Sequence, residues 1–145
     1  MKMKLGLVTM LFPLVLMAQN WEPNYQNALT KAKTENKPLL VVFSGSDWCA
    51  PCIKMDKKIW QSADFKKHAE INYVLYKADF PKRKSNQLSN DLMDANKTLA
   101  KKFNPKGHFP LVVLLDGNEN VLGETGYKRV SASNYIAHLN AFVPQ

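Results

Sequence analysis

The only two cysteines of the chain lie in Trp48-Cys49-Ala50-Pro51-Cys52, and the flanking residues fix where they sit. Pro38 to Ser44 reads Pro-Leu-Leu-Val-Val-Phe-Ser, a short apolar run of β type. From Ile53 to Trp60 the apolar residues Ile53, Ile59 and Trp60 alternate with lysines, as on an amphipathic helix. The pair therefore stands where a strand hands over to a helix, the setting in which C-x-x-C reads as a redox site. Two thiols at this spacing can close a small disulfide ring and reopen it without unfolding what surrounds them.

A chain of 145 residues suits one domain with one sizeable core. Its first residues have the layout of a secretory signal peptide: Lys2 and Lys4, an apolar run from Leu5 to Met17, and small Ala18 before polar Gln19-Asn20. An uncleaved anchor is the competing reading, but a spanning helix needs about 20 apolar residues, and Pro13 interrupts this run. The expected division is residues 1–18 as signal and 19–145 as one domain, periplasmic or secreted. No cysteine near the cleavage point offers a lipid anchor. Cleavage would remove Lys2 and Lys4 from a net charge of +8 and leave +6. That charge is scattered except at Pro81-Lys82-Arg83-Lys84, which reads either as a solvated loop or as a surface for an acidic partner or membrane. Without a basic stripe interleaved with aromatics, nucleic-acid binding is not expected.

Outside the cytosol a disulfide persists. Yet two cysteines three residues apart close almost no loop, so a bond between them restrains little of the unfolded chain. Chemistry, not stapling, is the purpose left standing.

Along the rest of the chain, Tyr25 to Asn36 predicts a helix with Asn24 as N-cap, stopped by Asn36-Lys37-Pro38. Leu39 to Phe43 is continuously apolar, as in a strand buried on both faces. Ser44-Gly45-Ser46-Asp47 is a turn, and a second helix runs from about Ala50 to Trp60. Another helical turn restarts at Ser62-Ala63-Asp64 and continues to Ala69. Asn72 to Asp79 is a strand alternating around Tyr73, Leu75 and Lys77, followed by a polar loop from Phe80 to Gln87. Leu88, Leu92, Ala95, Leu99 and Phe103 form one helical stripe, ended by Asn104-Pro105-Lys106-Gly107. Leu111 to Leu115 is a third apolar strand, and Val121 to Tyr127 returns as a hairpin across Asp116-Gly117-Asn118. Ser131 caps a last helix whose buried side holds Tyr135, Ile136, Leu139, Phe142 and Val143. Strands alternating with helices predict an α/β fold with a parallel core and an antiparallel final hairpin.

These features together resemble the thioredoxin family over most of the chain after residue 18. The strand Leu39–Phe43, the W-C-A-P-C motif, Phe109-Pro110 opening the strand Leu111–Leu115, Gly117 and Gly126 carry the likeness. The stretch from Phe43 to Cys49 is similar to exported bacterial thioredoxin-like proteins more than to cytosolic thioredoxins. The resemblance implies a thioredoxin fold, a central mixed sheet of four to five strands with helices on both faces. It implies that Cys49 is the attacking nucleophile, that Cys52 resolves the mixed disulfide, and that Pro110 is cis and faces the cysteines. Two departures stand out. Ala50 occupies the place of a glycine, and the buried carboxylate and neighbouring lysine of strong reductases are replaced by Val42 or Phe43 and by Leu75, leaving Asp79 or a water to accept the proton.

The residue types suit that chemistry. The thiolate is the reactive form, and a sulfur at the first turn of a helix meets unsatisfied N–H groups and the positive end of the dipole. Cys49 is expected there as an accessible, acidic thiol, with Cys52 one turn on and less exposed. Pro51 suits an early helical position. Trp48 offers either an apolar docking face or a core aromatic. A cis Pro110 would leave the backbone of Phe109 free to pair with a substrate strand. Lys54 would favour the thiolate and Asp47 oppose it, unless both are merely solvated. Metal binding is the rival use of the cysteines, but zinc usually wants four ligands. His68, His108 and His138 are widely separated in sequence; His108 is near Pro110, while His68 and His138 read as helix-surface residues.

The expected function is an exported thiol:disulfide oxidoreductase, a monomer that reduces protein disulfides and is recharged by a membrane electron-delivering protein. It needs no cofactor beyond the Cys49–Cys52 disulfide. Oxidase or isomerase activity, or a non-enzymatic adaptor or metal carrier on the same fold, are the alternatives, because spacing does not fix a reduction potential.

Overall fold

The structure, a computed structural model, describes residues 19–145. The signal-peptide reading falls on residues 1–18 and lies outside the described residues. Among the described residues five α-helices flank one four-stranded sheet: α1 Tyr25–Glu35, β1 Leu39–Ser44, α2 Ala50–Met55, α3 Ala63–Asn72, β2 Val74–Asp79, α4 Asn90–Phe103, β3 Leu111–Leu115, β4 Val121–Thr125 and α5 Ala132–Asn140. All five helices begin at a side chain that accepts from a backbone N–H in the first turn: Asn24, Cys49, Ser62, Ser89 and Ser131. Helix α1 ends on Asn36 in the left-handed conformation (φ 51°), which asparagine tolerates better than most residues.

The strand order is β2-β1-β3-β4. Strand β1 pairs in parallel with β2 and antiparallel with β3, and β3 pairs antiparallel with β4. The mixed thioredoxin-type sheet is present, but the parallel core predicted from alternation is limited to β1 and β2. The reason lies in the ends of the strands. Asp79 pairs with Ser44 at the end of β2, and Leu111 pairs with Phe43 at the start of β3. The connection through α4 thus returns to the end of the sheet from which it left, and β3 must run back.

Successive residues of each strand point to opposite faces. Leu39, Val41 and Phe43 of β1 meet Val74, Tyr76 and Ala78 of β2 and Ala28, Ala32, Leu99 and Phe103 of α1 and α4. Leu40, Val42, Leu75, Val112 and Leu114 face the second layer, with Met55, Ile59, Trp60, Phe65, Ala69, Tyr135 and Leu139. Burial on both sides explains why β1 and β3 read as unbroken apolar runs. It also corrects β2: Val74, Leu75, Tyr76 and Ala78 are all buried, and Asn72 belongs to α3.

Two helices depart from their patterns. The second helix reaches Trp60, but Asp56–Trp60 is π-helical, which turns both Ile59 and Trp60 inward. Trp60 then packs edge-on against Trp21, Phe65 and Tyr135. In α4 the buried residues are Asn96, Leu99 and Phe103, whereas Ala95 is exposed. Asn96 is drawn in because its side chain accepts from the buried Tyr76 hydroxyl (2.5 Å) and donates to the Asp79 carbonyl (3.1 Å); buried polar groups left unpaired are costly.

Candidate active site

The turn after β1 delivers the cysteines. The Gly45 carbonyl accepts from the backbone N–H groups of Trp48 (3.2 Å) and Cys49 (2.9 Å), reversing the chain directly into α2. Ser46 ties the turn to the end of β2, donating from its N–H and hydroxyl to Asp79 (2.9 and 2.5 Å). Cys49 is the N-cap of α2, with extended backbone, and its sulfur accepts from the Cys52 N–H at 3.3 Å. Pro51 lies in the first turn, where a missing N–H leaves no partner wanting. Cys49 and Cys52 are disulfide-bonded across a Cα–Cα distance of 5.2 Å.

Exposure differs from expectation. Cys49 is 5% and Cys52 3% exposed, so in the oxidised protein neither sulfur is open and depth barely distinguishes them. In this closed ring the Cys49 sulfur lies over the first turn, on the Cys52 N–H. What projects is the rim: Trp48, Ala50 and Pro51 are exposed. Trp48 is 39% exposed and so is not the core aromatic of the second reading, yet its ring is held in place. Its Nε1–H donates to the Phe80 carbonyl at 2.7 Å, and its ring stands edge-on to Phe109, centroids 5.5 Å apart. Phe109 in turn packs on Phe80. The Phe109–Pro110 peptide bond is cis, and Phe109 precedes β3, outside the strand ladder. A groove of about 540 Å³ opens beside the motif, lined by Pro51, His108, Phe109, Pro110, Leu111, Glu124, Thr125, Gly126 and Tyr127.

Around the sulfurs the charges are spoken for. Backbone N–H bonds from Lys82, a side-chain bond from Asn86 and a further N–H from Arg83 hold the Asp47 carboxyl below its ordinary range. Asp47 is thus engaged by the neighbouring loop in its charged form, not merely solvated. Lys54 is exposed. Asp79, the suggested proton acceptor, spends both oxygens on Ser46. The buried polar side chains among the described residues are Ser44, Asn96 and Asn104, none of them a carboxylic acid. Val42, Phe43 and Leu75 are all buried, and Lys77, the register partner of Val42, pairs its ammonium with Asp56 at 3.0 Å.

Among the described residues no group of three or more His, Cys, Asp or Glu is placed to hold a metal ion. His108 lines the groove rim. His68 and His138 are half-buried, not free on helix surfaces: His68 bonds Asn140 and Asn72, and His138 bonds Thr125 at 2.9 Å. Sequence reasoning missed Asn104, which it took only as a helix stop. Buried Asn104 accepts from the His108 N–H (2.9 Å) and donates to the His108 carbonyl (2.8 Å), clasping the loop that leads into Phe109-Pro110. An asparagine six residues before the proline of a Phe-Pro strand start was the available signal.

A family model described as Thioredoxin-like matches residues 20–117. The chain is 30% identical over 129 residues to a protein named disulfide bond reductase DsbH from Chlamydia pneumoniae, covering 89% of this chain and 75% of that one. It is 35% identical over 106 residues to the thioredoxin-related protein DsbJ of the same organism, 73% of this chain but 30% of that longer protein. A solved structure named DsbH oxidoreductase superposes with a TM-score of 0.81 at 27% identity, over 96% of this chain and 94% of that one. With the fold, the C-x-x-C disulfide and these matches in agreement, the chain belongs to the thioredoxin-like family and is a thiol:disulfide oxidoreductase.

Proposed function

We propose that this protein is an exported reductase of protein disulfides in which Cys49 attacks and Cys52 resolves. The reduced Cys49 thiolate attacks one sulfur of the substrate disulfide; that S–S bond breaks, and a mixed disulfide with Cys49 forms. Cys52, deprotonated, then attacks the Cys49 sulfur and releases the second substrate thiol. The substrate gains two electrons and two protons, and the protein is left with the Cys49–Cys52 bond. The observation that carries this reading is that bond itself, closed at the start of α2 with the Cys49 sulfur facing a helix N–H that would stabilise its anion.

Trp48, Phe109 and Pro110 form the docking rim beside the cysteines, and a substrate strand would run along the groove past Phe109. Ala50 and Pro51 form the exposed tip of the ring. Support for the reductive direction comes from the relative named a disulfide bond reductase. Export is read from Lys2, Lys4 and the apolar run to Met17. A monomer recharged by a membrane electron-delivering protein completes the cycle, since the oxidised site must regain two electrons.

Insulin reduction by the prereduced protein tests this. The wild type should precipitate insulin chains, Cys49→Ser should not, and Cys52→Ser should accumulate mixed disulfides. The redox potential should lie near the thioredoxin value of about −270 mV; one near the DsbA value of about −120 mV would make it an oxidase instead.

A further inference from the structure

The basic segment Lys82-Arg83-Lys84 lies in the loop joining β2 to α4, and it is fixed to the residue just before the motif tryptophan. Asp47 Oδ1 accepts from the Lys82 N–H and Oδ2 from the Arg83 N–H, both at 2.9 Å, and Oδ2 also accepts from Asn86 Nδ2 at 3.0 Å. Trp48 holds the start of the same loop through the Phe80 carbonyl, and Lys82 Nζ stands 4.1 Å from the centroid of the Trp48 ring. Gln87 closes the loop on itself, donating to the carbonyls of Pro81 and Arg83. The backbone is pinned while the side chains of Lys82, Arg83 and Lys84 are exposed. A cationic run held by its own main chain against the active-site aromatic differs from one on a free tail.

Trp48 therefore stands between two surfaces. On one side it meets the groove through Phe109; on the other it meets the basic loop through Lys82. The nearby carboxylates offset the loop only in part: Asp47 and Asp79 keep their charges while bonding the loop amides and Ser46, two negative charges against the three cations of Lys82, Arg83 and Lys84. Glu124, on β4, lines the groove on the Phe109 side. A polypeptide threading past the cysteines would meet concentrated positive charge at the Trp48 end.

We propose that Lys82, Arg83 and Lys84 form a specificity surface that selects disulfide substrates carrying acidic residues beside the reactive cysteine. This rests on the reductase reading above and adds the class of substrate. Opposite charge at a recognition surface raises encounter rates and suppresses wrong partners, and it does so less as salt rises.

The test uses the prereduced full chain and three synthetic disulfide peptides that differ only in flanking residues: acidic, serine or lysine. At low salt the acidic peptide should be reduced about tenfold faster than the lysine peptide, the lower end of electrostatic steering. That ratio should collapse toward one at high salt, and also in the triple variant Lys82→Glu, Arg83→Glu, Lys84→Glu. Asp47 binds backbone amides, so these substitutions leave its bonds in place. The double variant Arg83→Glu, Lys84→Glu, which spares the Lys82–Trp48 contact, should show most of the same loss. Equal rates on acidic and lysine peptides overturn the proposal while leaving the reductase reading intact. So does a uniform loss on all three peptides in the variants, accompanied by a raised pH midpoint for Cys49 alkylation, because the loop would then act on the sulfur. Loss of binding to vesicles of anionic lipid, with no peptide preference in the wild type, would assign the loop to a membrane surface and overturn it too. Reduction of no peptide at all defeats the exchange reading itself.

Discussion

A β-carbon placed on Gly45 would stand 2.3 Å from Cε2 of Trp48. No side chain fits there while the indole stays where it is, so glycine at this turn is what lets Trp48 lie against the chain and reach Phe80. Gly45→Ala should swing the indole outward and break its bond to the Phe80 carbonyl. The expected stability loss is about 1 kcal/mol, the net worth of one hydrogen bond. Denaturant unfolding followed by Trp emission measures it, and Trp emission in the native state should also shift red. Reduction of a protein disulfide should fall several-fold, while reaction of reduced Cys49 with a small alkylating agent stays within twofold. A variant with unchanged emission would show that the indole is not displaced.

Asn104 offers a second handle on the rim, from behind. Its side chain satisfies both main-chain groups of His108, and the next residues are Phe109 and Pro110. Asn104→Ala removes both bonds at a buried position, at a cost of about 1–3 kcal/mol. In a domain of this size that lowers the melting temperature by about 2–4 °C per kcal/mol. Asn104→Asp keeps the acceptor for the His108 N–H but loses the donor to its carbonyl. It should fall between the wild type and alanine in rate of insulin reduction, measured well below both melting points. Identical rates in all three would mean the clasp does not position Phe109.

How far the site was legible can be judged from such residues. Leu39–Phe43 and Leu111–Leu115 announced themselves because burial on both faces leaves no polar position to blur the run. The cysteines and Pro51 could be placed at the start of a helix from local backbone requirements, whereas the cis Phe109-Pro110 bond was expected only from the family resemblance. The direction of β3 was not, since it depends on the end of the sheet to which the segment 104–110 returns, and an apolar run carries no arrow. Asn96 was invisible to a stripe drawn from apolar residues alone, because its reason for burial is the Tyr76 hydroxyl twenty residues away. The pairing of Lys77 with Val42 across the sheet could not be read by counting along one strand, because register is set by pairing partners. The engagement of Asp47 by Lys82 and Arg83 joins positions 35 and 36 residues apart, beyond any local pattern.

Alkali should destabilise the fold through its buried tyrosines. Burial raises the Tyr73 phenol to about 12, and it raises Tyr25 and Tyr135 further, with Glu119 adding to the effect on Tyr25. A folded pKa above the unfolded value of 10.0 means a contribution fully present below pH 10. It is lost progressively as pH rises through the folded value. Stability to urea should therefore be flat up to about pH 10 and decline beyond it. Phenolate absorbance should rise together with unfolding for these three residues and not before it. Tyr73→Phe should shift the alkaline decline upward; a phenolate titration of all tyrosines near 10 in the folded protein would contradict the burial argument.

Acid acts on the basic loop through Asp47. Backbone donation from Lys82 and the Asn86 side chain lower its pKa in the folded protein, and the unfolded group titrates at about 3.9. The sign follows: the carboxylate's hold on the loop is complete above the unfolded pKa and disappears as pH falls through the lowered folded value. At neutral pH the amides of Lys82 and Arg83 should be protected from hydrogen exchange. Asp47→Ala should speed their exchange several-fold and change the Trp48 emission, because Lys82 no longer sits over the ring. Asp47→Asn keeps one acceptor oxygen and should protect one of the two amides. Titrating the wild type into acid should reproduce the alanine phenotype below the ordinary carboxylate range, while the alanine variant shows no such step. If the Lys82 and Arg83 amides exchange equally fast in wild type and Asp47→Ala at neutral pH, the carboxylate does not hold the loop, and the selectivity assigned to its lysines loses its structural basis.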